Sequence, residues 1–397
     1  MNKSITIITS EESFENNYGA ILQGYALFTK LKNLGYLPRI VRYQGGEFRR
    51  NKYLYTLFCI KREAGKIYRS IIHSNNPPKM ITQSLNPNSD RAEERKQLFL
   101  AFEREFLLFT SEKRFTYHQL EANPPISDYY ICGSDQIWNP YFKEGRNDPG
   151  YFLAFAPKGA VKISYAPSFG CSDLPDKAKT DLRALLSTFK AISVREKTGV
   201  DIIKKYAHLD AELVLDPTML LTPEQWKSIA QLPKKIPEKY ILCYRFADSK
   251  QTKALIDEIS SILKIPVISL PLSKVAMEDD YSFVFEAGPR EFIGLIKNAS
   301  LVCTDSFHAT VFSILMKTPV CVFLRENYQS GNSMNTRIFS LLEMLSLQNL
   351  VITETDTVDK MINCLSTDYD EAHKRLTERR IESENFLINA LMGKENA

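Results

Sequence analysis

The segment TDSFHATVF (304–312) sets a carboxylate, a hydroxyl and an imidazole in one short loop: Asp305, Ser306 and His308. The loop lies between an apolar run, ASLVC, and a helical pattern, ATVFSILMK. A histidine titrates near neutral pH and suits proton transfer. The entrance of a helix leaves backbone N–H groups free for an anion. SVRE (193–196) repeats the arrangement, with Arg195 and Glu196 after a short apolar stretch. Further polar groups stand at expected strand ends: Asn16-Asn17-Tyr18-Gly19, Gly133-Ser134-Asp135, Asp216-Pro217-Thr218 and Arg245. Each also has a plainer role. Ser306 or Asp305 can serve as an N-cap, Asp135 can cap the turn after its strand, Arg195 can be a surface ion-pair residue, and His308 can be a packed core residue.

Several chemistries are excluded. The chain has no Gly-x-Gly-x-x-Gly, Walker loop, Gly-x-Ser-x-Gly or His-Glu-x-x-His. Five scattered histidines and no cysteine cluster argue against zinc. Asp368-Tyr369-Asp370 mimics the metal-binding Asp-x-Asp of some sugar transferases, but it precedes a helix and reads as a cap, so no metal site is expected. A net charge of +4 is weak evidence about partners, and no nucleic acid is expected. No apolar run approaches the length that spans a bilayer. The start, MNKSITIITSEESF, reads as a first strand rather than a signal peptide. Seven cysteines without a Cys-x-x-Cys pair point to free thiols and a cytoplasmic protein.

The elements that must hold these loops follow an α/β rhythm. SITIITS, YLPRIVRY, DYYIC, VKISYAPSFG, AISVRE and AELVL read as strands, and AILQGYALFTKLKNLG as a helix closed by Gly35. LTPEQWKSIAQLPKKIPEK, with three prolines, is the linker candidate at 222–239. A second series follows, with strands at YILCYRF, PVISL, SLVCTDS and PVCVFL and helices over 250–263, 289–298, 308–317 and 334–346. The expected architecture is two doubly wound Rossmann-like domains with a cleft between them. They span 1–221 and 240–370, followed by a C-terminal helix at 371–397. Ligands in such sheets sit beyond the carboxyl ends of the strands. Residues 45–125 break the rhythm and read as an insertion on the first domain. Within it, 49–74 carries seven Lys/Arg against one Glu, interleaved with aromatic and aliphatic residues. This stretch suits peripheral contact with the inner membrane leaflet, or is a solvated helical insertion.

Taken together, the blocks NNYGAILQGYAL, DYYICGSDQIWNP, AISVREKTG, ELVLDPTMLL, SLVCTDSFHATVFSILMKTPV and NSMNTRIFSLLEML, in this order, resemble the polysaccharide pyruvyl transferase family over nearly the whole chain. The resemblance implies a GT-B-like fold. It also implies transfer of pyruvate from phosphoenolpyruvate, the donor substrate, to a hexose, with formation of a cyclic ketal and no cofactor. The acceptor it implies is a lipid-linked oligosaccharide or surface polysaccharide, often modified across 4-OH and 6-OH of a sugar such as galactose. By the same resemblance, His308 and Asp135 are catalytic and Arg195, with Ser306 and Phe307, faces phosphoenolpyruvate. Asn16, Asn17, Tyr18 and Ser134 face the acceptor. Many relatives carry Arg where this chain has Ser306, and Leu where it has Phe307. Arg325 or Arg337 is expected to supply the missing guanidinium. Two other readings stay open: a GT-B glycosyltransferase using a nucleotide sugar, and a non-catalytic sugar- or phosphate-binding protein.

Overall fold

The computed structural model describes residues 3–11, 14, 16–45, 87–247, 249–270, 281–325 and 335–392. Runs such as SITII and YYIC are rich in β-branched and aromatic residues and are buried almost throughout. Strands of that kind belong in a parallel sheet covered on both faces. Strands β1 (Ser4–Ile8), β2 (Leu37–Ile40), β3 (Tyr129–Cys132) and β4 (Val161–Ser164) form such a sheet in the order β2-β1-β3-β4. Ile7 pairs with Ile40 on one side and Ile131 on the other. A short parallel pair, β5 (Ser193–Val194) and β6 (Glu212–Leu213), adjoins it through an Ile163–Ala191 bridge.

The second sheet holds β7 (Ile241–Tyr244), β8 (Val267–Ser269), β9 (Ser282–Phe283), β10 (Leu301–Thr304), β11 (Val320–Phe323) and β12 (Val351–Ile352). Its order is β12-β11-β10-β7-β8-β9, all parallel. Numbered from its own first strand this is 3-2-1-4-5-6, the order of the dinucleotide-binding Rossmann sheet. The order reverses between β7 and β10, and in the first sheet between β1 and β3. Crevices open at the carboxyl ends of those strands. The loops that follow them carry Thr9–Glu11, Ser134–Asp135, Arg245–Phe246 and Asp305–His308.

Helix α1 (Tyr18–Asn33) joins the two halves. Asn17 caps it by accepting from Ala20 N at 3.1 Å, and Gly35 ends it at φ 86°. The helix is buried nearly all round because each half covers a different face. Tyr18 stacks on Phe292 with centroids 4.4 Å apart, and Tyr25 packs on Trp226. Helix α2 (Pro87–Phe106) braces the same junction: Phe102 meets Tyr25, and Glu105 accepts from Arg290 at 2.5 Å. Beyond α2, Phe109 and Phe115 bridge to Ile40 and Tyr43 and extend the first sheet's edge. The second half of the segment expected as an insertion is thus built into the first sheet and the junction. Its first half, with the basic stretch 49–74, lies outside the described residues.

Within the second half of the chain, helices α3 (Lys250–Leu263), α4 (Pro289–Asn298), α5 (Phe307–Met316) and α6 (Thr336–Met344) alternate with the strands. The segment expected as a linker carries a capping box, Thr222 with Gln225, and a fully buried Trp226 whose Nε1 donates to Thr218 O. The last helix, α7 (Asp370–Met392), returns to the first half. There Leu215 N donates to Ser383 Oγ, and Tyr129 Oη donates to the carbonyl of Leu391. The chain therefore crosses between the halves repeatedly, and the crevice loops are held in fixed opposition.

Candidate functional site

Four carboxyl-end loops converge on one buried charge cluster. Arg195, which follows β5, has a fully buried side chain. Its Nη1 donates to Asp216 Oδ2 at 2.6 Å and to Ser134 Oγ at 3.3 Å, and its Nη2 to Asp135 Oδ1 at 3.3 Å. Glu196 Oε2 lies 4.0 Å from its Nε. Arg195 is therefore no surface residue. One buried cation surrounded by three carboxylates is a structural keystone, since removing it would leave buried carboxylates uncompensated.

Asp216 links this cluster to the opposite half of the molecule. It accepts from Thr218 N and Oγ1, from Ser134 Oγ and from Arg195, and it lies 3.7 Å from His308 Nε2. The last separation is an ion-pair distance, longer than a hydrogen bond. Burial opposes the Asp216 charge, but nearby His308, then Arg195 and Thr218, outweigh it and hold the carboxyl far below the usual carboxylate range. His308 is itself mostly buried at the start of α5. The other side of its ring faces Gly19 in the first turn of α1. A Cβ added at Gly19 would come within 2.0 Å of His308 Nδ1, so only glycine lets helix and ring approach so closely.

Asp135 has φ 77° and ψ −177°, a region nearly reserved for glycine. Such strain costs about 1–3 kcal/mol and persists only where the surroundings over-determine it. Here Asp135 accepts from Gln136 N and Ser10 Oγ, while its carbonyl accepts from Ser168 N. Burial pushes its carboxyl up, but Arg195, His308 and Arg337 prevail and leave it below the ordinary value. Glu196 accepts from Ser168 Oγ and from the N–H groups of Phe169 and Gly170, yet burial dominates and raises its carboxyl.

Phe307 sits between two guanidiniums. Arg195 lies 4.7 Å and Arg337 5.8 Å from its ring centre, and the His308 ring meets it edge-on at 5.2 Å. Arg337 projects from the start of α6 and is buried. Among the described residues no hydrogen bond or ion pair reaches its guanidinium, and its Nε is buried without a partner. Burial, then the like charges of Arg195 and Arg325, pull it down from 12.5 to about 9. It remains charged at neutral pH, in a place where a cation is costly unless an anion joins it.

Six of the residues singled out from the sequence thus meet at one place: His308, Asp135, Arg195, Ser134, Phe307 and Arg337. Ser306 acts as the N-cap of α5, accepting from Ala309 N at 3.4 Å. Arg325 stands to one side, its Nε 3.6 Å from Asp305 Oδ2 and its guanidinium 4.4 Å from the Phe246 ring centre. Asn16 and Asn17 line a neighbouring cavity of about 230 Å³ with Arg95, Tyr244 and Phe246. Tyr18 is fully enclosed, and its hydroxyl donates to Ala287 O across the junction at 2.7 Å. The packing of the two halves, rather than a cleft surface, holds Tyr18 in this arrangement. Asp216, Gly19 and Glu196 belong to the site. Asp216 and Glu196 follow strands and Gly19 opens α1; those positions were the available signal, but none was assigned a role. Among the described residues no three His, Cys, Asp or Glu side chains are grouped to hold a metal ion.

Two crevices at strand-order reversals, faced across a cleft and braced by a returning C-terminal helix, define a GT-B-like protein with an interdomain site. A family model for polysaccharide pyruvyl transferase matches residues 17–327, and the chain belongs to that family. Among solved structures, a Listeria monocytogenes protein assigned as a UDP-N-acetylglucosamine 2-epimerase aligns at TM-score 0.53 and 10% identity. That alignment covers 100% of this chain and 98% of that one. The UDP-GlcNAc 2-epimerase of Methanocaldococcus jannaschii aligns at 0.45 and 13% identity, over 95% and 99% of the two chains. MurG of Acinetobacter baumannii aligns at 0.35 and 10%, over 96% and 95%. At these identities the likeness is one of fold alone. No curated protein matches the chain.

Proposed function

We propose that this protein transfers pyruvate from phosphoenolpyruvate to two hydroxyls of one hexose, forming a cyclic ketal and releasing phosphate. The observation that carries the reading is Arg337, a buried guanidinium that no hydrogen bond or ion pair reaches among the described residues, set beside a buried histidine and a strained aspartate. Phosphoenolpyruvate is a small, densely anionic molecule, and an arginine fork is suited to its phosphate or carboxylate. Arg337 thereby takes the place of the guanidinium missing at Ser306. Arg195 is occupied by its carboxylates and positions them.

The chemistry divides among the residues present. His308, oriented by Asp216, delivers a proton to the vinyl CH2 of the donor, which becomes a methyl group. The cationic C2 left behind is attacked by a sugar hydroxyl, whose proton passes to Asp135. Phosphate then leaves C2 with the electrons of its C–O bond, and a second hydroxyl of the same sugar closes the ring. Of the two hydroxyl protons, one replaces the proton spent on the methyl group and the other leaves with phosphate. No cofactor is needed, because charged side chains hold the donor. The acceptor in this reading is a lipid-linked oligosaccharide or surface polysaccharide, modified across 4-OH and 6-OH of a hexose such as galactose. The basic stretch 49–74 would then draw the enzyme to an anionic leaflet from the cytoplasmic side.

Incubation with phosphoenolpyruvate and a panel of hexose-terminated acceptors tests the reading. The expected result is phosphate release that depends on acceptor. Release of nucleotide from a nucleotide sugar, with none of phosphate, would establish a glycosyltransferase in its place; release of neither would establish a binding protein.

A further inference from the structure

The cavity beside the charge cluster has a chemistry of its own. Its walls come from both halves of the protein. Asn16 and Asn17 precede α1, Arg95 reaches in from α2, and Tyr244 and Phe246 end β7. Two of these walls lead directly to the charge cluster. Two residues beyond Asn17, Gly19 packs against His308. Asp305, which binds the N–H groups of Phe246 and Ala247, is followed by the cap and first turn of α5 that carry His308. The cavity thus lies at the reversal point of the second sheet, where such folds bind ligands.

Its surfaces are specific. Phe246 leaves 37% of its area exposed, although it is large and apolar. Arg325 lies against its ring at 4.4 Å and Tyr244 meets it edge-on at 5.4 Å, so the ring is held in one orientation. Asn16 uses its backbone carbonyl to hold Arg95, at 3.1 Å, and it is an exposed residue of the cavity lining. A fixed aromatic face beside side-chain amides matches a pyranose ring. The C–H face of the sugar stacks on the aromatic, and adjacent hydroxyls pair with the amide donors and acceptors. The volume, about 230 Å³, falls below the roughly 300–1,000 Å³ of pockets that take drug-sized ligands. One sugar ring fits that space.

We infer that this cavity is the subsite for a single neutral hexopyranose, the acceptor ring, with Phe246 as its stacking platform and Asn16 as its hydroxyl reader. The inference rests on the proposed reaction for its role, and its binding chemistry stands apart from that reaction. Two measurements on the full chain separate them. The first is saturation-transfer NMR with methyl hexopyranosides, which needs no turnover. Ring protons of at least one hexoside should receive saturation from the unmodified protein. Phe246→Ala should weaken that signal, with Kd rising roughly 3–10-fold for a lost stacking face, and Asn16→Ala should weaken it similarly. Thermal melting of both variants within a few degrees of the parent would establish that they fold. The second is steady-state kinetics, in which both variants should raise KM for acceptor and leave KM for phosphoenolpyruvate unchanged. Saturation transfer that is equal in parent and variants, or a raised donor KM with an unaltered acceptor KM, overturns the inference. Acceptor-dependent phosphate release with acceptor constants equal in all three proteins overturns the subsite and leaves the reaction standing. Hexoside binding that depends on Phe246, without phosphate release from any acceptor, overturns the reaction and leaves the subsite standing.

Discussion

Replacing Arg337 with Met should stabilise the empty protein and abolish its response to the donor. Arg337 is 6% exposed, and its guanidinium is drawn from 12.5 to about 9 by burial and two neighbouring arginines. A shift of that size, at 1.36 kcal/mol per pKa unit, is a cost of about 5 kcal/mol for keeping Arg337 charged. The sign follows from both values lying above neutrality. The cost is fully present at pH 7 and is relieved only as pH rises through 9. Met keeps the length of the side chain and discards the charge. It also forfeits the contact with Phe307, worth about 0.5–1 kcal/mol. Replacing buried charges with apolar groups has gained about 1–4 kcal/mol elsewhere, and that is the range expected here. Thermal melting at pH 7 should therefore place the variant several degrees above the parent. Phosphoenolpyruvate at about 100 times its Kd should stabilise the parent by about 2.7 kcal/mol and leave the variant unmoved. The gap between the unliganded proteins should narrow above pH 9. A variant that melts below the parent would refute the reasoning and make Arg337 a structural cation. A variant that keeps the donor-induced shift would mean that the anion is held elsewhere.

Gly19→Ala should cost activity although it lies in a helix, where the change ordinarily gains about 0.5–1 kcal/mol; the added methyl meets the His308 ring, and turnover equal to the parent's would show that this contact is dispensable. Asp216→Ala should destabilise by about 3–5 kcal/mol, because it removes the shortest ion pair of the buried Arg195 and strands the donors of Ser134 and Thr218, read from denaturant midpoints. Asp216→Asn should flatten the acid limb of the stability profile. A depressed carboxyl contributes stability above the ordinary aspartate range and loses it as pH falls through the folded value, so an unchanged acid limb would remove Asp216 from the account. Reversing Arg49, Arg50, Lys61 and Arg62 to Glu should abolish co-sedimentation with anionic liposomes at low salt and slow reaction on a lipid-linked acceptor while sparing a short soluble one. Absence of liposome binding by the parent would end that idea.

Much of this site was legible because a parallel strand that ends in polar residues announces a crevice. His308, Arg195 and Asp135 were found that way, and helices α3 and α4 begin and end where the periodicity places them. What escaped depends on contacts between distant parts of the chain. Asp216 stood in view as a strand-end loop, but its partner His308 comes from the opposite half. Gly19 was named only as part of an expected strand end, and the structure packs the His308 ring against it. Tyr18 misled in the other direction: a tyrosine in a polar loop suggested a sugar contact, while the structure turns it inward to stack on Phe292. Arg195 resembled an anion fork, and only the fold shows that its terminal nitrogens are engaged by Asp216, Ser134 and Asp135. Arg337 was legible as a helix-entrance arginine, but that no hydrogen bond or ion pair reaches it among the described residues is a property of the folded site.

The central claim, proton delivery by His308 to a donor held at Arg337, is tested most directly by the reaction in deuterium oxide with phosphoenolpyruvate and a hexose-terminated acceptor. The product should gain the mass of pyruvate less one water, carry one deuterium in its ketal methyl group, and form with one phosphate released per ketal. His308→Ala should bind the donor as the parent does and form this product at least about 100-fold more slowly, the scale of a lost general acid. A His308→Ala enzyme that turns over within a few-fold of the parent would contradict the account.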